Sequence, residues 1–304
     1  MISVIVVTRN RQSHLFGCLV SLSKQTRQPK EILVIDNAST DNTRVVVEEF
    51  SRKYPHIKYI YCSKLGIPYS RNMSVEKAKY DILACLDDDC NPDLDWYENI
   101  EKQAELANNY VLQGGAKNPN PTNVLSTTLF YLNQRFLNLE LLISNNTYRK
   151  YKVIHFFDTK NFVIHKKHIK KVGHFLNEKH ILAADLFFQK DLENNNIKIL
   201  YLPGIDVYHS YMTNLFGYLN KIIWAKKCKQ IFGSVQLIHT KKLESTKNLF
   251  GMDRVAKVQT TFYKKLKKIN QDFFDTCAAK MNFPKKIMLK TTVFLTQLYL
   301  GDTI

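Results

Sequence analysis

The sequence predicts an α/β protein with a layered sheet and helices, followed by a helical and basic C-terminal region. Short apolar segments alternate with segments of helical spacing over the first 115 residues, and the same style returns between residues 161 and 208. Lysine-rich sequence of helical character follows residue 210. Strands that alternate with helices imply parallel crossover connections.

Five strands are predicted in the first 115 residues because each segment is short and rich in β-branched or aromatic residues. They are ISVIVV (2–7), EILVI (31–35), IKYIY (57–61), DILACL (81–86) and YVLQG (110–114). Helical spacing is found between them at 12–24, 41–52, 68–79 and 92–107. Pro68 and Pro92 are placed where a first helical turn begins, with Asn91 as the cap of the helix at 92 and Asp41 or Thr40 as the cap of the helix at 41.

The second half of the chain is predicted to begin with an amphipathic helix over 123–143. A strand at 161–165, a helix at 185–195 and strands near 197–208 then restore the α/β pattern. From residue 211 onward the pattern is helical, aromatic and basic, so we place a domain boundary near residue 210.

Charge and cysteine content limit the function classes. The chain carries a net charge of +17, and residues 211–304 hold 17 Lys or Arg against 5 Asp or Glu. A basic region of this kind suits an anionic membrane surface, nucleic acid or a phosphorylated substrate; the alternative is a set of solvated helix faces. The six cysteines form no Cys-x-x-Cys pair, and no leader or membrane span is recognised, so we expect a cytoplasmic protein, either in solution or at the inner face of the membrane.

Three adjacent carboxylates, Asp87, Asp88 and Asp89, follow the apolar segment ILACL. If the strand continues, alternation places Asp87 and Asp89 on one face and turns Asp88 away. Two carboxylates on one face can bind a divalent cation together with ligand hydroxyls or phosphates. The alternative is a solvated acidic turn that caps the next helix.

Two further motifs lie where neighbouring strands end. Asp36 ends the second strand, where an acid suits hydrogen bonding to a ribose hydroxyl or a base edge. Arg71 lies in the first turn of the helix predicted at 68–79 and offers a cation to a diphosphate; the alternative is a surface arginine. The turn after the first strand, VVTRNRQ, has no glycine, which excludes a dinucleotide-binding loop.

Four motifs in this order resemble glycosyltransferase family 2, inverting sugar transferases of the GT-A fold. They are VIVVTRNR, VIDNASTDN, YSRNMS and CLDDDC. The resemblance implies an α/β fold with a Rossmann-like mixed sheet flanked by helices. The resemblance implies a catalytic domain over 1–210, with a nucleotide-binding half (1–115) and an acceptor half (116–210), and leaves the basic region 211–304 outside.

The resemblance also implies residue roles. Thr8 and Asn10 would line the nucleotide pocket, Asp36 would contact the base or ribose, and Arg71 would lie by the diphosphate. Asp87 would reach the ribose or donor sugar, while Asp89 would be a ligand of Mn²⁺ or Mg²⁺. The positions concerned are read directly from the four motifs.

In the second half the resemblance is looser. Asn161 would lie near the active site, and Asp185 would be the catalytic base, although Ala184 and Phe187 replace acids of the family pattern. Glu178 and His180 are the substitutes for Asp185. His209 would be a further metal ligand, the alternative being a structural histidine.

The resemblance therefore predicts transfer of a sugar from a nucleotide-diphosphate donor, UDP or dTDP, to a glycan or lipid-linked acceptor in cell-surface polysaccharide or glycoconjugate synthesis. The alternatives are a nucleotidyltransferase, an Asp-x-Asp phosphatase and a basic nucleic-acid-binding protein. The sequence contains no nucleic-acid recognition motif that would support the last alternative, so nucleic acid is not expected as a partner.

Overall fold

A computed structural model of the chain describes residues 1–143, 151–176, 184–223, 225–226, 271, 275 and 278–300. It forms two compact units, of which the first comprises Met1–Pro119 and Asn146–Ser210 and the second Asn120–Asn145 and Tyr211–Ile304. The predicted division into a catalytic domain (1–210) and a C-terminal region (211–304) stays a prediction. It assigned residues 120–145 to the catalytic domain, whereas the structure groups them with the C-terminal segment.

The first unit is built on an eight-stranded mixed sheet. Its elements up to the fourth strand are β1 (Ile2–Thr8), α1 (Gln12–Ser23), β2 (Glu31–Asp36), α2 (Thr43–Lys53), β3 (Ile57–Tyr61), α3 (Ile67–Lys77) and β4 (Ile82–Asp87). They are followed by β5 (Cys90–Pro92), α4 (Trp96–Lys102), a 3₁₀ helix (Ala104–Asn108), β6 (Tyr110–Gln113) and β7 (Ala116–Lys117). The remaining elements of this unit are β8 (Lys152–Ile154), β9 (Asn161–His165), α6 (Lys166–Val172), α7 (Ala184–Asn194), β10 (Lys198–Tyr201) and β11 (Val207–His209).

The strand order of the large sheet is β3-β2-β1-β4-β9-β6-β10-β8. β1 pairs in parallel with β2 and β4, whereas β9 runs antiparallel to both β4 and β6. All six residues of β2 are buried, as expected for a strand covered by helices on both faces. The four strands predicted before residue 87 are thus confirmed within one or two residues at each end.

A small second sheet, ordered β5-β11-β7, corrects one sequence prediction. Pro92 was predicted to begin a helix capped by Asn91, but Cys90–Pro92 forms β5 and the helix begins at Trp96. β5 pairs antiparallel with β11, more than a hundred residues further along the chain, so the local pattern could not reveal it. Proline is tolerated here because β5 is an edge strand.

The second unit contains α5 (Val124–Ile143) and α8 (Phe283–Leu300), which pack against each other, and helical residues 215–223. Two apolar clusters stabilise its described part. One is centred on Tyr131 and Leu289, and the other on Leu129 and Tyr218. No helix among the described residues has the length and apolar character of a membrane span. Most of the predicted basic region, including residues 227–270, lies outside the described residues.

Candidate active site

The carboxyl ends of three neighbouring strands meet at one edge of the large sheet. In the β1–β2 register Thr8 lies opposite Asp36, and in the β1–β4 register Val7 lies opposite Asp87. Adjacent parallel strands that end together place the following loops side by side, which is where ligands of open α/β sheets bind. Asp36, Asp87, Asp88 and Asp89 therefore belong to one edge, as predicted.

Asp87 is fixed by a buried arginine. Arg71 Nη2 donates to Asp87 Oδ1 at 2.7 Å and to the carbonyl oxygen of Thr159 at 3.1 Å. The Arg71 side chain is 1% exposed, whereas 32% of the Asp87 side chain is open to solvent. Desolvation by the surrounding protein raises the pKa of Asp87 despite that opening, and the Arg71 charge opposes the shift.

Asp88 does not point away from the other acids as alternation predicted, because β4 ends at Asp87 and residues 88–89 form a turn. Asp88 accepts a hydrogen bond from Thr8 Oγ1 at 2.7 Å and from Arg11 Nη1 at 2.8 Å. It is 3% exposed. Burial raises the pKa of its carboxyl to about 6, although Arg11 favours the charged form.

Arg11 is the site residue to which the sequence analysis gave no role. Its Nη1 contacts Asp88 Oδ1 and, at 2.9 Å, Asp89 Oδ2. Burial lowers the pKa of Arg11, but the charges of Asp88 and Asp89 outweigh that effect and raise it. A signal was available, because Arg11 is the last letter of the motif VIVVTRNR.

Asp89 and His209 lie together, as predicted for two metal ligands. His209 Nε2 is 3.4 Å from Asp89 Oδ1, because the β5–β11 pairing sets His209 opposite Cys90. Possible ligand atoms of Asp89, Cys90 and His209 all lie within 4.8 Å of one another. Burial raises the pKa of the Cys90 thiol well above its usual range, and the Asp89 charge adds to the shift.

This donor set fits Mn²⁺ or Mg²⁺. Both ions take carboxylate oxygens, Mn²⁺ also accepts imidazole, and both usually complete their coordination with substrate phosphates. Asp89 and His209 are the two residues that would hold the ion.

Three residues predicted to contact the donor are covered by protein instead. Thr8, Asp36 and Arg71 are 2%, 1% and 1% exposed. Asp36 accepts hydrogen bonds from Tyr59 Oη at 2.7 Å and from the Ser39 amide at 2.9 Å. The donor contacts predicted for these three residues stay predictions, because protein covers all three side chains in this structure.

Asn10 and Asn161 hold loops in place at this edge. Asn10 adopts a left-handed conformation, with φ of 51°, and its Oδ1 accepts a hydrogen bond from the Thr40 amide at 2.7 Å. Asn161 is 1% exposed, accepts a hydrogen bond from Trp96 Nε1 and donates to the carbonyl oxygen of Gly115. The nucleotide contact predicted for Asn10 stays a prediction.

Asp185 lies in the first turn of α7 and is partly exposed. Its role as the base stays a prediction. The substitutes, Glu178 and His180, lie outside the described residues.

Comparison with known proteins agrees with these motifs. Residues 3–173 match the family model described as Glycosyl transferase family 2. Glycosyltransferase AglE from Haloferax volcanii is 34% identical over 100 residues, which cover 32% of this chain and 33% of that protein. Chondroitin synthase from Pasteurella multocida is 30% identical over 141 residues, or 45% of this chain and 14% of that protein. The chain thus spans a third or less of the length of these two curated relatives.

Solved structures show the same fold. A mannosyltransferase from Pyrobaculum calidifontis, in complex with GDP-Man and Mn²⁺, has a TM-score of 0.57 at 16% identity. The match covers 99% of this chain and 83% of the mannosyltransferase chain. TarS (1–349) of S. aureus, in complex with UDP, has a TM-score of 0.52 at 20% identity. That match covers 75% of this chain and 64% of the TarS chain.

These likenesses confirm the predicted fold, a mixed α/β sheet flanked by helices of the GT-A type. The family resemblance drawn from the four motifs is confirmed by the family match itself. Because that match extends over more than half of the chain, this protein belongs to glycosyl transferase family 2.

Proposed function

We propose that this protein transfers a sugar from a nucleotide-diphosphate donor to a hydroxyl group of a glycan or lipid-linked acceptor, with inversion at the anomeric carbon. The observation that carries the proposal is the meeting of three acids, Asp87, Asp88 and Asp89, with Arg11, Arg71 and His209 at the carboxyl edge of the sheet. Acids held among cations at such an edge suit a charged nucleotide ligand and its metal ion.

A Mn²⁺ or Mg²⁺ ion held by Asp89 and His209 would supply Lewis-acid stabilisation of the diphosphate leaving group. Asp87 is proposed to accept hydrogen bonds from ribose or sugar hydroxyls, and the 32% exposure of its side chain supports this role. Arg71 orients that carboxylate, and its charge favours the ionised form.

The proposed base is Asp185, which removes the proton of the acceptor hydroxyl. The acceptor oxygen then forms a bond to the anomeric carbon, while the bond from that carbon to the diphosphate oxygen breaks and the diphosphate leaves with the electron pair. The position of Asp185 in the first turn of an eleven-residue helix supports this role, because the helix N-terminus favours the ionised carboxylate.

The donor is proposed to carry UDP or dTDP, and the product to belong to cell-surface polysaccharide or glycoconjugate synthesis. The TarS structure with UDP supports a uridine donor, while the mannosyltransferase complex with GDP-Man makes guanosine the competing choice. The Pasteurella chondroitin synthase supports a polysaccharide product.

Peripheral contact with an anionic membrane is proposed for the second unit. Residues 215–223 expose Leu215, Phe216 and Leu219, which are 61%, 78% and 49% exposed. An apolar helical face in a chain of net charge +17 suits the interface of an anionic bilayer and a lipid-linked acceptor.

A thermal-shift screen tests the proposed function. UDP, dTDP, GDP and CTP are compared with Mn²⁺ present, and one diphosphate is expected to raise the melting temperature of the wild type by several degrees more than the others. The metal-dependent part of the rise is expected to disappear in Asp89→Asn and to remain in the surface variant Glu48→Gln. Equal rises in melting temperature with all four nucleotides, or no rise with any of them, would contradict a nucleotide-sugar donor.

A further inference from the structure

Arg11 joins two of the three aspartates through a single nitrogen atom. Its Nη1 lies 2.8 Å from Asp88 Oδ1 and 2.9 Å from Asp89 Oδ2. Arginine often meets one carboxylate through two parallel hydrogen bonds, whereas here one N–H₂ group is shared between two acids. A point of positive charge between two carboxylate oxygens is also what a bound metal ion provides.

Little else holds Arg11 at this position. Its side chain is 40% exposed, and within the described part of the chain it forms no ion pair or hydrogen bond besides those to Asp88 and Asp89. Arg71 differs on both counts, since it is 1% exposed and also donates to a backbone carbonyl. One arginine is therefore part of the packed interior, and the other can swing towards solvent.

The charges of the site favour an exchange. With both arginines present, the three ionised aspartates keep one excess negative charge. A divalent cation added beside Arg11 would reverse the sign of the site, whereas the same cation in place of Arg11 would make it neutral. Like charges a few ångströms apart repel strongly in a partly buried site, so exchange is favoured over addition.

We propose that Arg11 is a built-in counter-ion that occupies the acidic site in the absence of metal and leaves Asp89 when a divalent cation binds there. Arg11 thereby sets the metal affinity of the site and holds the carboxylates together while no ion is bound. This inference rests on the metal ion of the proposed function.

Titration of the metal-free full-length chain with Mn²⁺ tests the exchange, with no nucleotide present and free Mn²⁺ followed by its EPR signal at pH 8. Arg11→Gln removes the competing charge and is expected to bind Mn²⁺ about tenfold more tightly than the wild type, a difference of about 1.4 kcal/mol. Arg44→Gln is the matched control, because Arg44 forms an exposed ion pair with Glu48 at 2.7 Å on α2. Its affinity is expected to equal that of the wild type.

Two further variants locate the effect. Arg11→Gln combined with Asp89→Asn is expected to lose the gain, which places the ion on Asp89. Arg11→Lys keeps a charge with a shorter reach, so its affinity is expected to fall between those of the wild type and Arg11→Gln. It also supplies a folded comparison if Arg11→Gln unfolds without metal.

Unchanged or weaker Mn²⁺ binding in Arg11→Gln, or in Arg11→Lys, would overturn the inference, since Arg11 would then be a supporting residue of the metal site. A gain that survives Asp89→Asn would overturn it as well. Absence of Mn²⁺ binding in every variant would remove the exchange, while the nucleotide screen would still decide the proposed function on its own.

Discussion

Replacement of Asp88 by asparagine is expected to stabilise the metal-free protein at pH 8. Asp88 is 3% exposed, and burial raises the pKa of its carboxyl to about 6 even though Arg11 and Thr8 favour the charged form. An aspartate in an unfolded chain has a pKa of about 3.9, and each pKa unit corresponds to about 1.4 kcal/mol. The ionised carboxylate therefore costs the folded state about 3 kcal/mol, a cost that the neutral amide avoids.

The sign of this effect fixes its pH dependence. Because the folded-state pKa is raised, the folded protein binds more protons than the unfolded chain between about pH 4 and pH 6. The destabilisation is absent below that interval, grows through it and is fully present above it. The melting temperature of Asp88→Asn is thus expected to match that of the wild type near pH 4 and to exceed it by about 6 °C at pH 8.

Circular dichroism melts in EDTA at pH 4, 6 and 8 provide the measurement. Glu48→Gln is the control, since loss of an exposed helical ion pair changes stability by less than about 1 kcal/mol and is expected to show no such rise with pH. A lower melting temperature of Asp88→Asn at pH 8 would refute the reasoning. The contacts of Asp88 with Arg11 and Thr8 would then outweigh its burial.

Three other perturbations follow from the same geometry. Arg71→Met leaves Asp87 without its buried cation and is expected to lower the free energy of unfolding by about 3 kcal/mol; a melt no lower than that of Arg44→Met would contradict this. Asp185→Asn is expected to keep the nucleotide-induced thermal shift and to lose sugar transfer, whereas full transfer would remove Asp185 from the role of base. Flotation with anionic liposomes is expected to carry the protein at low salt and much less at high salt, and absence of binding at both would end the membrane proposal.

The large sheet could be predicted from sequence because its signals are local. A segment such as EILVID is apolar, β-branched and bounded by polar residues, so it is recognisable as a buried strand without knowledge of its neighbours. The carboxyl edge followed from the same reasoning, since parallel strands end together. Asp36 and Asp87 were therefore placed correctly before any contact was known.

The remaining features depend on pairings between distant segments. Cys90–Pro92 becomes a strand only through Val207–His209, and that pairing also delivers His209 to Asp89. The turn at Asp88 ends the alternation on which the predicted orientation of the triplet relied. Arg11 is 77 residues from Asp88, so no local pattern marks it as the partner of that acid.

The three aspartates differ in how firmly their positive partners are held, and this difference orders the site. Arg71 is a fixed partner of Asp87, because separating the two would leave an unpaired charge in the protein interior. Asp88 is held by the Thr8 hydroxyl and shares Arg11 with its neighbour. Asp89 faces His209 and an arginine that is 40% exposed, so its surroundings can be exchanged without unpacking the sheet. Adjacent carboxylates are tolerated because Arg71 and the Thr8 hydroxyl offset part of the cost of burying the first two, which leaves the third able to bind an ion reversibly.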